Sequence, residues 1–377
     1  MKKSLIALTV LGAIAGTAQA QSSVTIYGIV DAGVTFSNNN VPASNADQNS
    51  RLGGSKFGVG SGNIDTSRIG FKGVEDLGGG LKALFQLEAG FQTDTGALGS
   101  NNDDNTGLFN RKSVVGLGGN FGSVLLGRQA DLLEDAGNKY TSVKDFGNFV
   151  GAMHEGDRLE GARTQNSIRY NSPNVQGFTG SLIYGFGEEA GANSNGQAFG
   201  AGGTYDNGPL GLYLGYYQSK VGVNPADQDP LPTDVMFPEG ATSSKIFSLG
   251  ASYLVGPARL YGNWSRNNVP DVYKRNIFEL GMDYAVTAPL HVLAAVQHKV
   301  DSIDNAGDQS NGSKAKVTQI NLGLDYYLSK RTDLYTLASY AKGKNGGDVG
   351  YYNAPVAQDD AGKSSQTSVA VGIRHKF

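Results

Sequence analysis

The sequence predicts an all-β fold, a closed antiparallel barrel of sixteen strands that crosses a membrane. Three observations predict it: a strictly alternating segment at the end of the chain, an export leader with no long apolar helix after it, and connections that alternate between tight and long. The chain stops on Ser368-Val369-Ala370-Val371-Gly372-Ile373-Arg374-His375-Lys376-Phe377. Val369, Val371, Ile373 and Phe377 fall on one face and Ser368, Ala370, Gly372, Arg374 and Lys376 on the other, which is the two-residue period of a strand. A soluble sandwich also alternates, but it seldom ends on an apolar strand with a terminal Phe. A closed barrel in lipid has no edge there to protect.

At the start, Met1-Lys2-Lys3 is basic, Leu5 to Ala15 is an apolar run of about eleven residues, and Ala18-Gln19-Ala20 has the A-x-A form of a cleavage site. Residues 1–20 therefore read as a secretory signal peptide and 21–377 as a single barrel domain. Removing the leader takes away Lys2 and Lys3 and no acid, so the formal charge moves from −3 to −5. No polybasic nucleic-acid surface is indicated. No later stretch approaches the roughly 18 continuous apolar residues of a membrane helix, so any crossing is by strands. The chain has no cysteine, which removes disulfides and thiolate metal sites in an exported protein. Its 55 Gly without a G-X-Y period, with 18 Tyr and 16 Phe, suit a turn-rich β protein with aromatic belts.

Seven connections are tight and carry turn formers: 76–80, 119–122, 173–177, 206–209, 255–257, 287–289 and 329–331. Eight longer polar tracts lie between them, near 37–65, 94–109, 131–164, 188–197, 220–244, 267–274, 301–315 and 343–366. Together they join sixteen strands. The segments between are mostly about 9 to 12 residues, enough for a tilted strand to cross a bilayer. In Leu81 to Gln92 the odd positions are apolar, and the even ones carry Lys82, Gln86, Glu88 and Gln92. Short turns on one rim, long loops on the other and an even count give an outer-membrane barrel wide enough for an aqueous channel.

Val24-Thr25-Ile26-Tyr27-Gly28-Ile29-Val30-Asp31-Ala32-Gly33, Ser67-Arg68-Ile69-Gly70-Phe71-Lys72-Gly73-Val74-Glu75-Asp76-Leu77-Gly78, the segment Gly116 to Arg128 and the terminal Phe377 together resemble the general diffusion porins of Gram-negative outer membranes, of the type found in β-proteobacteria. The resemblance covers essentially the whole mature chain. It implies a homotrimer, a third long loop folded inward to narrow the pore, and a C-terminal strand whose Phe377 is read by the barrel-assembly machinery. It also implies residence among outer-membrane lipid and lipopolysaccharide.

The third tract, 131–164, is the longest without alternation, and a loop of about 34 residues in a compact fold is usually functional. It holds Asp131, Glu134, Asp135, Lys144, Asp145, Glu155 and other charges. In the family this loop carries an acidic-aromatic-glycine element at the constriction, and Asp145-Phe146-Gly147 looks like its counterpart, with Lys144 where the family has Pro. Opposite, the family has a ladder of arginines, matched by Arg68, Arg111 and Arg169. Alternation puts Arg68, Lys72 and Arg169 on the water face. Val114, Val115 and Leu117 do not choose a face, so Arg111 and Lys112 compete, and Arg111 is favoured on resemblance. The constriction set is thus Arg68, Lys72, Arg111 and Arg169 against Asp145, Asp131 and Glu134, a transverse field acting on ions and dipolar water. For Asp145 the other reading is a turn or helix-capping aspartate.

No enzyme chemistry stands out: there is no His-Glu-x-x-His and no Gly-x-Ser-x-Gly. His291 and His298 have opposite parity on one strand and cannot share a metal. Asp103-Asp104 and Asp304 to Asp308 lack calcium-loop spacing, and Gly58 to Gly62 lacks a following helix, which favours a flexible loop over a phosphate cradle. No cofactor is expected. The function expected is passive diffusion of ions and small hydrophilic solutes with weak anion preference. A substrate-specific channel and an adhesin or structural barrel are the alternatives.

Overall fold

The computed structural model describes residues 23–40, 54–99, 107–147, 149, 163–220, 242–303, 314–345 and 364–377. The expected leader and most of the acids named for the outer loops, Asp103, Asp104, Glu155, Asp304 and Asp308 among them, lie outside these residues.

The described residues form one sheet of seventeen strand segments: β1 (Ser23–Asn40), β2 (Gly54–Ser61), β3 (Arg68–Gly78), β4 (Leu81–Gly90), β5 (Lys112–Gly119), β6 (Gly122–Gln129), β7 (Thr164–Asn171), β8 (Phe178–Gly185), β9 (Ala198–Asn207), β10 (Leu210–Lys220), β11 (Ser243–Val255), β12 (Ala258–Val269), β13 (Tyr273–Ala285), β14 (Leu290–Ile303), β15 (Lys314–Tyr327), β16 (Thr332–Lys344) and β17 (Ser365–Lys376). β17 pairs back onto β1, with Ile29 opposite Lys376 and Ser37 opposite Ser368, so the sheet closes. β2 and β3 occupy one place beside β1: Ala32 to Asn40 pair with β2 and Ser23 to Ile29 with β3. The barrel therefore has sixteen strands, the second of them interrupted at 62–67.

The seven tight connections fall where the turn residues predict. Gly78, Gly79 and Gly80 all have positive φ (84°, 61° and 83°), a run of left-handed backbone that side chains oppose. Two long tracts differ from expectation. Within 37–65, β1 runs on to Asn40 and 54–61 is a strand, so Gly58 to Ser61 is not a flexible loop; it alternates Phe57 and Val59 outward, and glycine composition masked that period. Within 267–274 only three residues separate β12 from β13, with Asp271 at φ 61°.

Alternation sorts the wall into two faces. On β10, Leu212 and Leu214 are exposed outward while Gly211, Tyr213, Gly215 and Tyr217 are buried inward. On β17, Val371 and Ile373 face out and Ala370 and Arg374 face in. The outward band is apolar because lipid covers it. No helix among the described residues is long and apolar enough to cross a membrane.

Among the described residues, two helices interrupt the pattern between β6 and β7: α1 (Leu132–Tyr140) and α2 (Val143–Phe146). Asp131 caps α1, its Oδ1 accepting from the Glu134 N–H at 2.9 Å, the usual device for an orphaned N-terminal donor. Leu133 and Tyr140 of α1 are buried against inward-facing positions of β9 to β11, Tyr213, Tyr217 and Ile246 among them. Gly202, Gly211 and Gly215 leave the space, since a Cβ at each would meet Leu132, Tyr140 and Leu133 respectively.

Candidate functional site

The segment from Asp131 to Phe149 follows the inner wall. Tyr140 stacks on Tyr213 with centroids 5.9 Å apart, and its hydroxyl donates to Asp206 at 2.8 Å. Farther along, the Ser142 N–H donates to Glu279 on β13 at 2.8 Å, and Gln297 on β14 donates to the Ser142 hydroxyl at 3.1 Å. Phe146 and Phe149 then join Leu293, Tyr335, Leu337, Ala370 and Ile64 in one apolar cluster. Gly147, at φ 52°, lies so close to the Ile64 carbonyl that a side chain there would collide. The interruption of the second strand thus meets the far end of the 131–149 segment.

That interruption is held from the wall. Asp31 on β1 accepts from the Ile64 and Asp65 N–H groups, both at 2.8 Å, and from the Tyr335 hydroxyl at 2.6 Å. Asp65 is turned toward cations: Arg68 at 2.9 Å and Arg374 at 2.7 Å.

The expected basic residues lie on the inner face of β3 to β7. Arg68 pairs with Asp65 and donates to the Thr66 carbonyl at 2.9 Å. Lys72 is exposed, with its Nζ 5.3 Å from the Tyr27 ring centroid. Arg111 sits just before β5, its Nε 2.7 Å from the Glu88 carboxylate, and Tyr27 donates to the same carboxylate at 2.8 Å. Lys112 opens β5 on the same side as buried Val114, while Val115 and Leu117 point out. Arg111 and Lys112 both reach the interior because the chain at Arg111 is not yet in the strand. Burial first, then the Arg68 cation, depresses the Arg111 guanidinium, which remains a cation at neutral pH.

Arg169 is placed differently from Arg68 and Lys72. It is buried, paired with Asp135 at 2.7 Å and bonded to the Ala130 carbonyl at 2.7 Å, Asn171 at 2.9 Å and Ser181 at 3.0 Å. Glu134 faces Arg163 at 3.5 Å, and Arg163 also donates to the Arg111 carbonyl at 3.1 Å. Asp145 lies away from these cations, on the side of Tyr261 and Asp283, with its carboxylate 3.1 Å from Lys144. Burial pushes the Asp145 carboxyl up, Lys144 opposes this and Asp283 adds to it.

Several residues of this arrangement carried little signal in sequence. Asp135 and Arg163 were two among many charges of one tract. Asp65 falls in the polar tract 37–65, whose composition predicts a loop. Glu88 was legible as water-facing but not as the partner of Arg111. The inward glycines of β9 and β10 did carry a usable sign, because small residues repeated on the water face of adjacent strands leave room for something packed against them.

Comparison with known proteins agrees with this architecture. A family model described as Gram-negative porin matches residues 7–348. Outer membrane porin protein 32 of Delftia acidovorans is 38% identical over the full length of both chains. An outer membrane porin protein of Bordetella pertussis is 30% identical, also over 100% of each. Among solved structures, an anion-selective porin from Comamonas acidovorans superposes with a TM-score of 0.73 at 33% identity, covering 95% of this chain and 100% of that one. A full-length match in sequence and a closed barrel with an apolar outer band leave one assignment: the chain belongs to the Gram-negative porins and is a β-barrel of the outer membrane.

Proposed function

We propose that the barrel is a water-filled channel for passive diffusion of ions and small hydrophilic solutes, narrowed by the 131–164 segment facing a basic wall, with a weak preference for anions. The observation that carries the sign is the state of the charges. The acids nearest the basic wall are engaged: Asp131 caps α1, Glu134 faces Arg163, Asp135 pairs with Arg169 and Glu88 with Arg111. Lys72 and Lys112 have no carboxylate in salt-bridge contact among the described residues. Fixed charges of one sign along a narrow aqueous path select the opposite ion. Charges at the outer mouth are screened over about 8 Å in physiological salt, so the narrow zone outweighs them. The anion selectivity in the description of the Comamonas acidovorans porin supports the same sign.

In this reading Arg68, Lys72, Arg111 and Lys112 line the path, while Arg169 positions the segment that narrows it. Residues 1–20 are the leader, the assembly is a homotrimer among phospholipid and lipopolysaccharide, and Phe377 is the feature that the barrel-assembly machinery reads. Purified protein in a planar bilayer should give stepwise conductance and a zero-current potential of the anion-selective sign across a tenfold salt gradient. Absence of conductance would remove the channel; a cation-selective sign would remove the charge argument and leave the channel standing.

A further inference from the structure

The outward band is not uniformly bulky. On the lipid side of β8 to β12 an open groove of about 500 Å³ is floored in part by Gly203, Ala251 and Gly262 and walled by Phe178, Tyr205 and Trp264. Pairing makes the groove continuous: Phe178 is opposite Tyr205, and Ala251 is opposite Gly262. Phe178 and Tyr205 pack together with centroids 4.2 Å apart, closing one end with a rigid aromatic wall. Trp264 stands at the other.

We propose that this groove holds an acyl chain of a glycerophospholipid from the periplasmic leaflet. The inference rests on the barrel's place in the outer membrane and not on the proposed pore. The groove is continuous with the apolar band that lipid covers, and no charged side chain lines it. Its position selects the leaflet. Tyr205 lies two residues from the end of β9 at Asn207, beside the tight turn at 208–209, and Gly262 four residues from the start of β12 at Ala258, beside the tight turn at 256–257, which is about 7 to 13 Å along a strand from those ends. Short turns mark the periplasmic rim of such barrels, and half of the hydrocarbon core is about 15 Å. A flexible chain fits a shallow furrow with aromatic ends better than bulk lipid fits a convex wall, because it gains contact with groove atoms that neighbouring lipids cannot reach.

The chain has a single tryptophan, and it lines the groove, so its fluorescence reports occupancy. Two variants fill the groove from the lipid side. A Cβ at Gly262 meets only Leu280 at 3.7 Å, ordinary contact, so Gly262→Leu adds bulk without backbone strain. Ala251→Leu does the same from the next strand. Both are first checked for heat-modifiable migration, and either one that folds serves. The mature protein is titrated in detergent with phosphatidylethanolamine brominated on its chains, and native mass spectrometry reads bound lipid. The expectation is saturable quenching of Trp264 with retained phospholipid in the wild type, and half-quenching at about tenfold higher lipid in the filled variants, as loss of about two buried methylenes implies. Equal, non-saturable quenching in wild type and variants would reduce the groove to ordinary annular contact and overturn the proposal. An unquenched Trp264 would mean that a second copy covers the groove, and retained lipopolysaccharide in place of phospholipid would mean the wrong leaflet. Either result overturns it as well.

Discussion

The guanidinium of Arg169, on β7, lies 2.7 Å from the carboxylate of Asp135, on α1, and donates at 2.7 Å to the Ala130 carbonyl just before the helix. One wall residue holds both the approach to α1 and its first turn. Arg169→Ala leaves buried acceptors without a donor, at a cost of about 1–3 kcal/mol. Asp135 is half exposed, so Asp135→Ala should cost under about 1 kcal/mol. The expected outcome is a lower heat-modification temperature and noisier open-channel current for Arg169→Ala than for Asp135→Ala; equal, small effects would deny Arg169 its anchoring part.

Lys112 should matter for selectivity more than for stability. Removing one cation that has no carboxylate in salt-bridge contact among the described residues, at about 8 Å from a passing ion, changes the energy by on the order of 0.5 kcal/mol in water, roughly twofold in permeability ratio. Lys112→Ala and Lys72→Ala should each move the zero-current potential toward cations, while Lys112→Arg leaves it in place. An unmoved potential in both alanine variants would exclude them from the ion path.

The raised carboxyl of Asp145 gives a pH dependence of known sign. An acid whose pKa is raised takes up its proton before ordinary carboxylates, so as pH falls Asp145 loses its negative charge before they do. Anion preference should therefore rise on acidification above the ordinary Asp value of about 3.9. In Asp145→Asn that early rise should be missing. A profile identical to wild type would place Asp145 away from the ion path.

At the seam between the chain ends, Phe377 exchanges backbone hydrogen bonds with Gly28, at 3.2 and 3.1 Å, and its ring lies where a Cβ of Gly28 would be. Gly28→Val and deletion of Phe377 should both lower the amount of assembled protein in the outer membrane while leaving synthesis and export intact. Normal assembly of the deletion would show that the last residue is dispensable for closure.

Gly147→Ala tests the contact with Ile64. A left-handed φ costs a residue with a Cβ roughly 1–2 kcal/mol, and the collision with the Ile64 carbonyl adds to it. The 131–149 segment should shift and the single-channel conductance change, with little effect on barrel melting, because the wall hydrogen bonds are untouched. Unchanged conductance would mean that this junction does not shape the path.

Local sequence is enough to specify the wall. Alternation at Leu81 to Gln92 and Ser368 to Phe377, the glycine turns and the terminal Phe are local signals with a two-residue period, and lipid outside forces that period on every strand. The same rule sets the water-side placement expected of Arg68, Lys72 and Arg169. What fills the interior depends instead on contacts between distant parts of the chain. Asp131 became a helix cap and Arg169 an anchor under α1 because their partners come from elsewhere in the fold. Arg111 and Lys112 share one side because the strand begins between them. The second barrel strand breaks at 62–67 where Asp31 accepts from the Ile64 and Asp65 N–H groups, and Tyr335, far away in the chain, donates to that same carboxylate. Periodicity encodes which way a side chain points, and the partner it meets inside a closed barrel depends on register across strands and on where a long segment comes to rest.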